Sequence, residues 1–437
     1  MNIRKLALDL LNKTVKAGQY SNIAVDNAIK THGLDEKDSS LLCVLVYGVI
    51  ERKITLDYII DSLSSLSPSK IELNIRNILR MGLYQLIYLD KIPPHAAINE
   101  SVELCPARSR GFANAILRNY TRKKDEIKFP NKEKSPIEYL SVTYSFPVAL
   151  CEKFRDIFGL EKCENILAAF CREVGMTLRV NTLKISREAL MESLLEKGID
   201  AKEAPLSPCG ITVNGASPSA VGIDEGLCFV QDEASQLCVL ALGAKEGDRV
   251  IDVCSCPGSK SFGVAIEMNN TGEIFSFDLH ANKLSLVENG AKRLGITVIK
   301  TEARDGRVFD EHLESFADKI ICDVPCSGFG VVAKKPEIRY KDPKDSAGLP
   351  QIQYDILCNA ARYLKAGGTL VYSTCTLLPE ENELNVEKFL AAHSEFEPCE
   401  FNIGNTSSKN GMLTLNPHDH GTDGFFIAKL TRRKANQ

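Results

Sequence analysis

Residues Val250–Ser261 read VIDVCSCPGSKS, an apolar strand that runs into a glycine- and proline-containing loop and then into a helix. This pattern turns backbone N–H groups and a helix N-terminus towards an anionic ligand group. The P-loop pattern is absent because Cys254 and Ser259 stand where it needs glycine, and the G-x-G-x-x-G fingerprint of NAD-binding proteins is absent as well. Asp278 ends the next predicted strand, where a carboxylate suits ribose hydroxyls. The stretch therefore predicts a nucleoside-containing cofactor.

Apolar strands continue to alternate with helices after this loop. A chain of this kind forms a doubly wound parallel sheet, the Rossmann-like arrangement, which binds ligands at the carboxyl ends of its strands. The fold class predicted for this part is therefore α/β. The strands are predicted at Arg249–Val253, Glu273–Asp278, Thr297–Thr301, Lys319–Asp323 and Thr369–Thr374, and the clearest helices at Asn282–Leu294 and Gln351–Leu364.

The sequence before residue 231 has a different character. Apolar residues recur at helical spacing over residues 1–130 and predict an all-α bundle. Residues 131–230 are predicted to hold a linker and a small α+β subdomain with strands near Met176–Asn181 and Ile211–Val213. Residues 126–140, polar and with two prolines, are typical of a linker. Residues 231–437 form the predicted α/β domain, closed by a hairpin over residues 417–430.

Composition narrows the class of protein. The 437 residues are 44% hydrophobic and 25% charged, as in ordinary globular proteins. Leu41–Ile50, the longest apolar stretch, is too short to span a membrane, and Asp9 argues against a signal peptide. The odd number of cysteines, fifteen, indicates a reducing compartment. We therefore expect a cytoplasmic protein that contacts no membrane.

Charge is distributed unevenly along the chain. The net charge is −4, but residues 1–130 carry +5 and the remainder −9. Such a basic excess is typical either of a phosphate-contacting surface or of a solvated helix end, and charge alone leaves both open. The basic residues cluster at Arg108, Arg110, Arg118, Arg122, Lys123, Lys124 and Lys128.

Two further motifs place a cysteine just beyond a predicted strand. In ICDVPCSGFG, residues 321–330, Asp323 ends the strand and Cys326 follows on the turn; in LVYSTCTLLPEENE, residues 370–383, Cys375 holds the equivalent place. Cysteine is often only a small buried hydrophobe, but two at the active edge of one sheet favour chemistry. No histidine is grouped with them, so we expect no metal site. The basic residues that follow could hold a phosphate backbone: Lys334, Lys335, Arg339 and Lys341.

These motifs resemble those of the RNA cytosine-C5 methyltransferases. DVPCSGFG and YSTCTLLPEENE are similar to the two cysteine motifs of that family, CSCPGSK to its S-adenosylmethionine loop, and VQDEASQL (residues 230–237) to the start of its catalytic domain. Four N-terminal segments resemble a NusB-like RNA-binding domain. They are SNIAVDNAIK (21–30), LVYGVIERKITLD (45–57), LRMGLYQLIYLDKIPPHAAINESVEL (79–104) and GFANAILRN (111–119). A NusB-like domain joined to this catalytic domain is the arrangement of the bacterial RsmB (Sun or Fmu) family, which methylates 16S rRNA.

The resemblance implies a different role for each of the two thiols. Cys375 is implied as the nucleophile that adds to C6 of cytosine, and Cys326 as the thiol that helps to expel the methylated product. Asp323 is implied to bind the N3/N4 edge of the base. The DNA enzymes would use the Pro-Cys cysteine as nucleophile, which here is Cys326. An unstacked base in a single-stranded rRNA loop fits this chemistry better than a duplex.

The resemblance also implies the cofactor, S-adenosylmethionine, and its contacts. Asp278 is implied to bind the ribose, Asp305 to lie near the adenine and Asp323 near the methionine end. Asp305 on its own would more often be a turn cap. Ser259 replaces the usual glycine and would be strained if residue 259 needs a positive φ. The loop residues implied as contacts are Cys254, Ser255, Cys256, Pro257, Gly258, Ser259 and Lys260.

The predicted function is methyl transfer from S-adenosylmethionine to a cytosine C5 of 16S rRNA. Two alternatives stay open, a tRNA or 23S rRNA substrate and a non-catalytic RNA-binding assembly factor. The sequence indicates no protein partner, and we expect a monomer. It does not identify the target nucleotide, nor whether free rRNA or a 30S particle is the substrate.

Overall fold

The computed structural model describes residues 2–17, 21–172 and 174–434, and it divides the chain into two compact units. The first unit comprises residues 1–172 together with residues 332–343, and the second comprises residues 173–331 and 344–437. The predicted domain boundaries at 130/131 and 230/231 stay predictions. No described helix has the length and apolarity that crossing a membrane requires.

The first unit is helical, as predicted for residues 1–130. Its core is built from leucine, isoleucine and valine side chains on the inward faces of the helices, for example Leu45, Ile59 and Ile78. Asp35 caps α3 by accepting a hydrogen bond from the N–H of Asp38 at 2.8 Å. The helices are α1 (Ile3–Ala17), α2 (Ser21–His32), α3 (Glu36–Glu51), α4 (Lys53–Leu63), α5 (Leu73–Tyr88), α6 (Pro94–Glu103), α7 (Ala107–Lys123), α8 (Pro136–Tyr144), α9 (Val148–Phe158) and α10 (Leu160–Ala169).

Two sequence predictions in this unit are wrong in detail. Helix α8 begins at Pro136, inside the stretch 126–140 predicted as a linker, because proline is well tolerated in the first turn of a helix. Arg339 is fully buried, so it does not offer its charge to a phosphate backbone. Its guanidinium donates to the carbonyl oxygens of Glu51 (2.9 Å) and Tyr144 (3.3 Å) and lies over the Phe146 ring. Lys334, Lys335 and Lys341 are exposed.

The second unit contains two main sheets. The smaller one is antiparallel, in the order β2–β3–β1–β4, and includes both strands predicted between residues 176 and 213. Its elements are β1 (Met176–Val180), α11 (Arg187–Glu196), β2 (Asp200–Glu203), β3 (Gly210–Asn214) and β4 (Cys228–Val230). The remaining elements are α12 (Glu233–Leu242), β5 (Arg249–Asp252), α13 (Ser259–Glu267), β6 (Glu273–Asp278), α14 (Ala281–Leu294), β7 (Ile299–Ala303), β8 (Ala317–Asp323), α15 (Leu349–Tyr363), β9 (Leu364–Thr374), α16 (Glu383–Ala392), β10 (Phe396–Pro398), β11 (Asn402–Ile403), β12 (Thr406–Ser407), β13 (Met412–Leu415), α17 (Pro417–His420) and β14 (Phe425–Arg432).

The larger sheet confirms the predicted α/β class. Its strands follow the order β10–β14–β9–β8–β5–β6–β7, and β5 to β9 pair in parallel. Successive residues point to opposite faces, so Val250 joins the core that packs under α12–α14, while Ile251 joins the core under α15 and α16. Helices therefore cover both faces, and the carboxyl ends of β5, β6, β8 and β9 meet at one edge.

Two features of this sheet differ from the prediction. Strand β9 begins at Leu364 rather than Thr369. Leu364 pairs with Ala317 of β8, but the register then shifts and regular pairing resumes at Thr369, beyond Gly367 and Gly368, which give the sequence no strand signal. The predicted closing hairpin over residues 417–430 is present in part. Strands β13 and β14 are antiparallel, but Pro417–His420 form a helical turn between them, and β14 pairs with β9.

Candidate active site

The loop between β5 and α13 depends on one glycine. Gly258 has φ +109°, and a Cβ there would lie 2.5 Å from the Phe262 ring, so this position requires glycine. Ser259 is the first residue of α13 and is not among the residues of positive φ, so the strain considered for this serine does not arise. The Gln231 side-chain amide donates to the Ser259 carbonyl at 3.0 Å and fixes the start of the helix.

Asp278 connects the loops that follow β5 and β6. One carboxylate oxygen accepts from the N–H of Cys256 at 3.3 Å, and the other accepts from the N–H of His280 at 2.9 Å. The Cys256 thiol, partly buried and beside this carboxylate, has its pKa raised to about 12. Cys256 is therefore a neutral packing residue of the loop at neutral pH.

Asp305 is engaged within its own turn. Its carboxylate accepts from the N–H of Arg307 at 3.0 Å and from the Arg307 guanidinium at 2.6 Å, which lowers the pKa of Asp305. The turn-cap role that the sequence also suggested for Asp305 is therefore present. Contact with a cofactor stays a prediction.

Asp323, at the end of β8, is half-buried and forms an ion pair with the buried Lys260 of α13. The Lys260 ammonium lies 2.7 Å from one Asp323 oxygen, and the Ser373 hydroxyl donates to the other at 2.7 Å. Burial alone lowers the pKa of Lys260, but the charges of Asp323 and of the nearby thiols outweigh it and leave this pKa raised. A permanent cation is thus held at the edge of the sheet.

The two predicted cysteines lie together at that edge. The Sγ atoms of Cys326 and Cys375 are 3.1 Å apart, and the N–H of Cys375 points at Cys326 Sγ at 3.3 Å. The hydrogen bond with Cys375 and burial, together with the charges of Cys375 and Glu381, raise the pKa of Cys326 well above that of an ordinary thiol. The pKa of Lys260 is raised chiefly by Asp323, and the thiols Cys238 and Cys375 add to the increase.

A close approach of three loops fixes the two thiols. The N–H of Gly330 donates to the Cys375 carbonyl at 2.9 Å, and the N–H of Gly424 donates to the Gly330 carbonyl at 2.8 Å. A Cβ at Gly330 would lie 1.8 Å from the Gly424 oxygen, so only glycine permits this packing. The third loop, before β14, also brings Phe425 to the Lys260 ammonium, 5.3 Å from its ring centre.

The structure adds residues that sequence reasoning missed. Asp252, the last residue of β5, is buried, which raises its pKa to about 7, and it accepts a 2.6 Å hydrogen bond from Ser261. Leu279 and Val308 are apolar side chains more than half exposed, in the loops that follow the neighbouring strands β6 and β7. Asp252 could have been found in the sequence as a carboxylate at the end of an apolar strand, and Leu279 as a leucine directly after Asp278.

Within the described ranges, no group of three or more histidine, cysteine, aspartate or glutamate side chains could hold a metal ion. All fifteen cysteines are free thiols. The chemically distinctive groups at this edge are therefore two adjacent thiols, a lysine–aspartate pair and a series of carboxylates.

Three families of known domains match the chain. Residues 239–431 match the 16S rRNA methyltransferase RsmB/F family, residues 1–122 the NusB family, and residues 146–220 the ferredoxin-like domain of RsmF/B-like methyltransferases. The first match covers the cysteine motifs, the second covers helices α1 to α6 and most of α7, and the third covers strands β1 to β3 of the small antiparallel sheet.

Two similar proteins match nearly the whole chain, and a third matches two thirds of it. A protein of Bacillus subtilis (strain 168) named probable ribosomal RNA small subunit methyltransferase B is 36% identical over 99% of both chains. The crystal structure of PH0851 is 27% identical, with a TM-score of 0.80 over 98% of this chain and 97% of that one. NSun6 from Pyrococcus horikoshii, solved with SFG, is 26% identical, with a TM-score of 0.59 over 67% of this chain and 100% of that one.

These similarities confirm the predicted family, the Rossmann-like methyltransferase fold with a NusB domain, and the predicted enzyme class. The chain belongs to the RsmB/F family of 16S rRNA methyltransferases.

Proposed function

We propose that this protein transfers a methyl group from S-adenosylmethionine to C5 of a cytosine in 16S rRNA through a covalent thiol adduct. The observation that carries the proposal is the pair of thiols, 3.1 Å apart at the ends of neighbouring parallel strands, with the Lys260–Asp323 pair beside them. Family membership supports the reaction and the RNA substrate. An rRNA substrate also places the proposed reaction in the cytoplasm.

Two thiols suit this reaction because cytosine C5 is a weak nucleophile. Addition of the Cys375 thiolate to C6 breaks the conjugation of the ring and makes C5 enamine-like. Asp323 would bind the N3/N4 edge of the base and hold the added ring in place. Methyl transfer to C5 leaves S-adenosylhomocysteine. A water molecule then takes the C5 proton, the C–H electron pair restores the C5–C6 double bond, and the C6–S bond breaks, which releases the product and returns the Cys375 thiolate. Cys326, in contact with Cys375 Sγ, would assist that release.

The residues at the carboxyl edge fit the proposed cofactor. When bound, S-adenosylmethionine supplies an electrophilic methyl group on a cationic sulfonium, which the carboxylates at this edge would favour. We propose that Asp278 binds the ribose and that Asp305 lies on the adenine side. Ser255 Oγ is buried without a hydrogen-bond partner among the described residues, so the loop retains an unused polar group. We propose the whole loop, residues 254–260, as the cofactor cradle, with Leu279 and Val308 as its apolar walls.

The basic residues of the first unit are proposed to contact rRNA phosphates. All seven are exposed, although Arg108 pairs with exposed Glu72 at 2.8 Å and Arg110 donates to the Cys105 carbonyl. Surface pairs of this kind contribute about 0–1 kcal/mol, so a phosphate can displace Glu72 at little cost. Binding should therefore weaken as salt rises.

The test uses tritiated S-adenosylmethionine and deproteinised 16S rRNA. Wild type, Cys375→Ala and Cys326→Ala are compared for methyl incorporation and for covalent RNA–protein complexes on a denaturing gel. Cys399→Ala serves as a matched control, since Cys399 is half-buried and lies outside the site. We expect incorporation by wild type and the control, none by Cys375→Ala, and a trapped adduct with Cys326→Ala.

The other outcomes separate the alternatives. Labelling of tRNA or 23S rRNA instead of 16S rRNA would keep the mechanism and change the substrate. Full activity of Cys375→Ala would contradict the assignment of the nucleophile. Tight RNA binding by wild type without labelling of any RNA would indicate a non-catalytic assembly factor.

A further inference from the structure

A buried carboxylate, Glu381, joins the two cysteine loops. Glu381 lies six residues after Cys375, yet its Oε2 accepts the backbone N–H of Ser327, the residue after Cys326, at 2.9 Å. The Gln353 amide donates to the same oxygen at 2.7 Å and to the Pro325 carbonyl at 3.0 Å. One carboxylate and one amide therefore fix the position of the Cys326 turn.

The backbone of Glu381 is fixed as well. The Tyr372 hydroxyl, on β9, donates to the Glu381 carbonyl at 2.6 Å. The side chain is 1% exposed, its Oε1 has no hydrogen-bond partner, and no ion pair of Glu381 occurs among the described residues. Burying a carboxylate without a cation is costly, and the hydrogen bonds from Ser327 and Gln353 offset only part of that cost. The absence of a cation in this ordered site favours a role for the negative charge itself.

We propose that Glu381 is a positioning residue that holds the Cys326 turn beside Cys375 and keeps Cys326 in its protonated form while Cys375 is the reactive thiolate. This inference rests on the proposed function, because it assigns the protonation states of the two proposed thiols. Neutral Cys326 would then carry a proton next to the sulfur that must leave the adduct. Glu381 itself touches no reacting atom.

The groups that face Cys326 agree with this assignment. They are Cys375 from the loop after β9, Glu381 from the turn Pro379–Glu381, and Tyr372 from β9. The hydrogen bond with Cys375 and burial raise the pKa of Cys326, and Glu381 adds to the increase. The cation at this edge, Lys260, pairs with Asp323, and the charge of Cys375 adds to its raised pKa.

The test measures the ionisation of Cys326 directly and requires no methyl transfer. Cys375→Ala is the parent, so that coupling between the two thiols is removed. Full-length protein is treated with iodoacetamide across a pH series, and alkylation of the Cys326 peptide is followed by mass spectrometry. Glu381→Gln is compared with Glu387→Gln, an exposed glutamate on α16. Glutamine retains the size of Glu381 and an oxygen that accepts from Ser327.

We expect Glu381→Gln to increase the alkylation rate at pH 8 about tenfold, equivalent to lowering the thiol pKa by about one unit. Glu387→Gln should leave the rate within twofold of the parent. An unchanged pH profile for Glu381→Gln, with thermal melting close to that of the parent, would overturn the proposal. A purely structural role would change melting without moving the pH profile.

A second variant covers the case in which Glu381→Gln does not fold. Gln353→Met removes an N–H donor to Glu381 and leaves the carboxylate in place. The negative charge of Glu381 is then less offset by a hydrogen-bond donor, which should raise the pKa of the Cys326 thiol by about half a unit. Alkylation should therefore become slower by about threefold. An unchanged or faster rate would overturn the proposal.

The methyl-transfer assay separates this inference from the proposed function. In protein with Cys375 intact, Glu381→Gln should lower kcat and leave KM for S-adenosylmethionine unchanged. If wild type transfers no methyl group, the proposed function fails, while the alkylation profiles still test the charge effect of Glu381. If wild type is active and Glu381→Gln has normal kcat, the role assigned to Glu381 fails alone.

Discussion

Asp252→Asn should make the second unit more stable at alkaline pH. Burial raises the pKa of Asp252 from 3.8 to about 7, so the folded protein holds a proton that the unfolded chain releases. The contribution of this proton to stability is present in full below pH 4, and it is lost as the pH rises towards and through 7. Asparagine is uncharged at every pH and has the same shape, so it avoids this loss.

The magnitude follows from the difference between the two pKa values. A difference of about three units corresponds to about 4 kcal/mol at 1.36 kcal/mol per unit. Between pH 5 and pH 8, stability falls only up to the folded-state pKa of about 7, which is about two pH units. The free energy of unfolding of wild type should therefore fall by about 3 kcal/mol more than that of Asp252→Asn. The hydrogen bond from Ser261 can still be accepted by the asparagine oxygen. The net gain of the variant at pH 8 should therefore be several degrees in melting temperature.

The assay is thermal and urea unfolding of both proteins at pH 5 and pH 8, followed by a probe in the second unit. The second unit is followed separately because a chain with two compact units need not unfold in one step. Asp224→Asn, at an exposed aspartate, controls for the change in net charge. Parallel pH profiles for wild type and Asp252→Asn would refute the reasoning, since both would then lack the buried titration.

Three other substitutions test the packing of the site and of the helical unit. Gly330→Ala should reduce methyl transfer at least about 100-fold in the tritium assay, because its Cβ would lie 1.8 Å from the Gly424 oxygen and the loops must separate; activity near that of wild type would show that the loops adjust. Lys260→Met should leave the half-buried Asp323 without its cation and cost about 1–3 kcal/mol in unfolding measurements, and an unchanged free energy of unfolding would contradict this contribution of the pair. Arg339→Met should lower the melting temperature of the helical unit and leave the salt dependence of RNA binding unchanged; a reduced salt slope would mean that Arg339 contacts phosphate.

Apolar stretches in the sequence predicted the strands of the parallel sheet, because a buried strand is recognisable from its own residues. Each strand of the parallel sheet was recognisable as an apolar stretch, and the strand at Glu273–Asp278 was predicted with its observed limits. The start of β9 was missed because Gly367 lacks a side chain to report burial. Strand β14 was recognisable, but its antiparallel place beside β9 depends on pairing between distant segments.

Residues whose role depends on distant partners were not predictable. Arg339 looked like a surface charge because it follows two lysines, but carbonyl groups from segments far away in the sequence satisfy its guanidinium. Glu381 stands in the charged stretch PEENE, which suggests exposure. Its burial depends on Gln353 and on the Cys326 turn, and neither is near in sequence.

The environment of each cysteine also depends on distant residues. For this reason, the sequence motifs identify two cysteines but do not show how their surroundings differ. Both thiols follow a parallel strand, and both lie at the same edge of the sheet. We propose that the difference between them comes from charge, with the Lys260 ammonium acting on Cys375, and with the Glu381 carboxylate acting on Cys326 in addition to the hydrogen bond with Cys375 and burial. Lys260 is supplied by the cofactor loop, whereas Glu381 is supplied by the turn after Cys375 itself. In our proposal, the loop that would hold the methyl donor therefore also favours the nucleophile, and the nucleophile's own loop keeps the second thiol protonated.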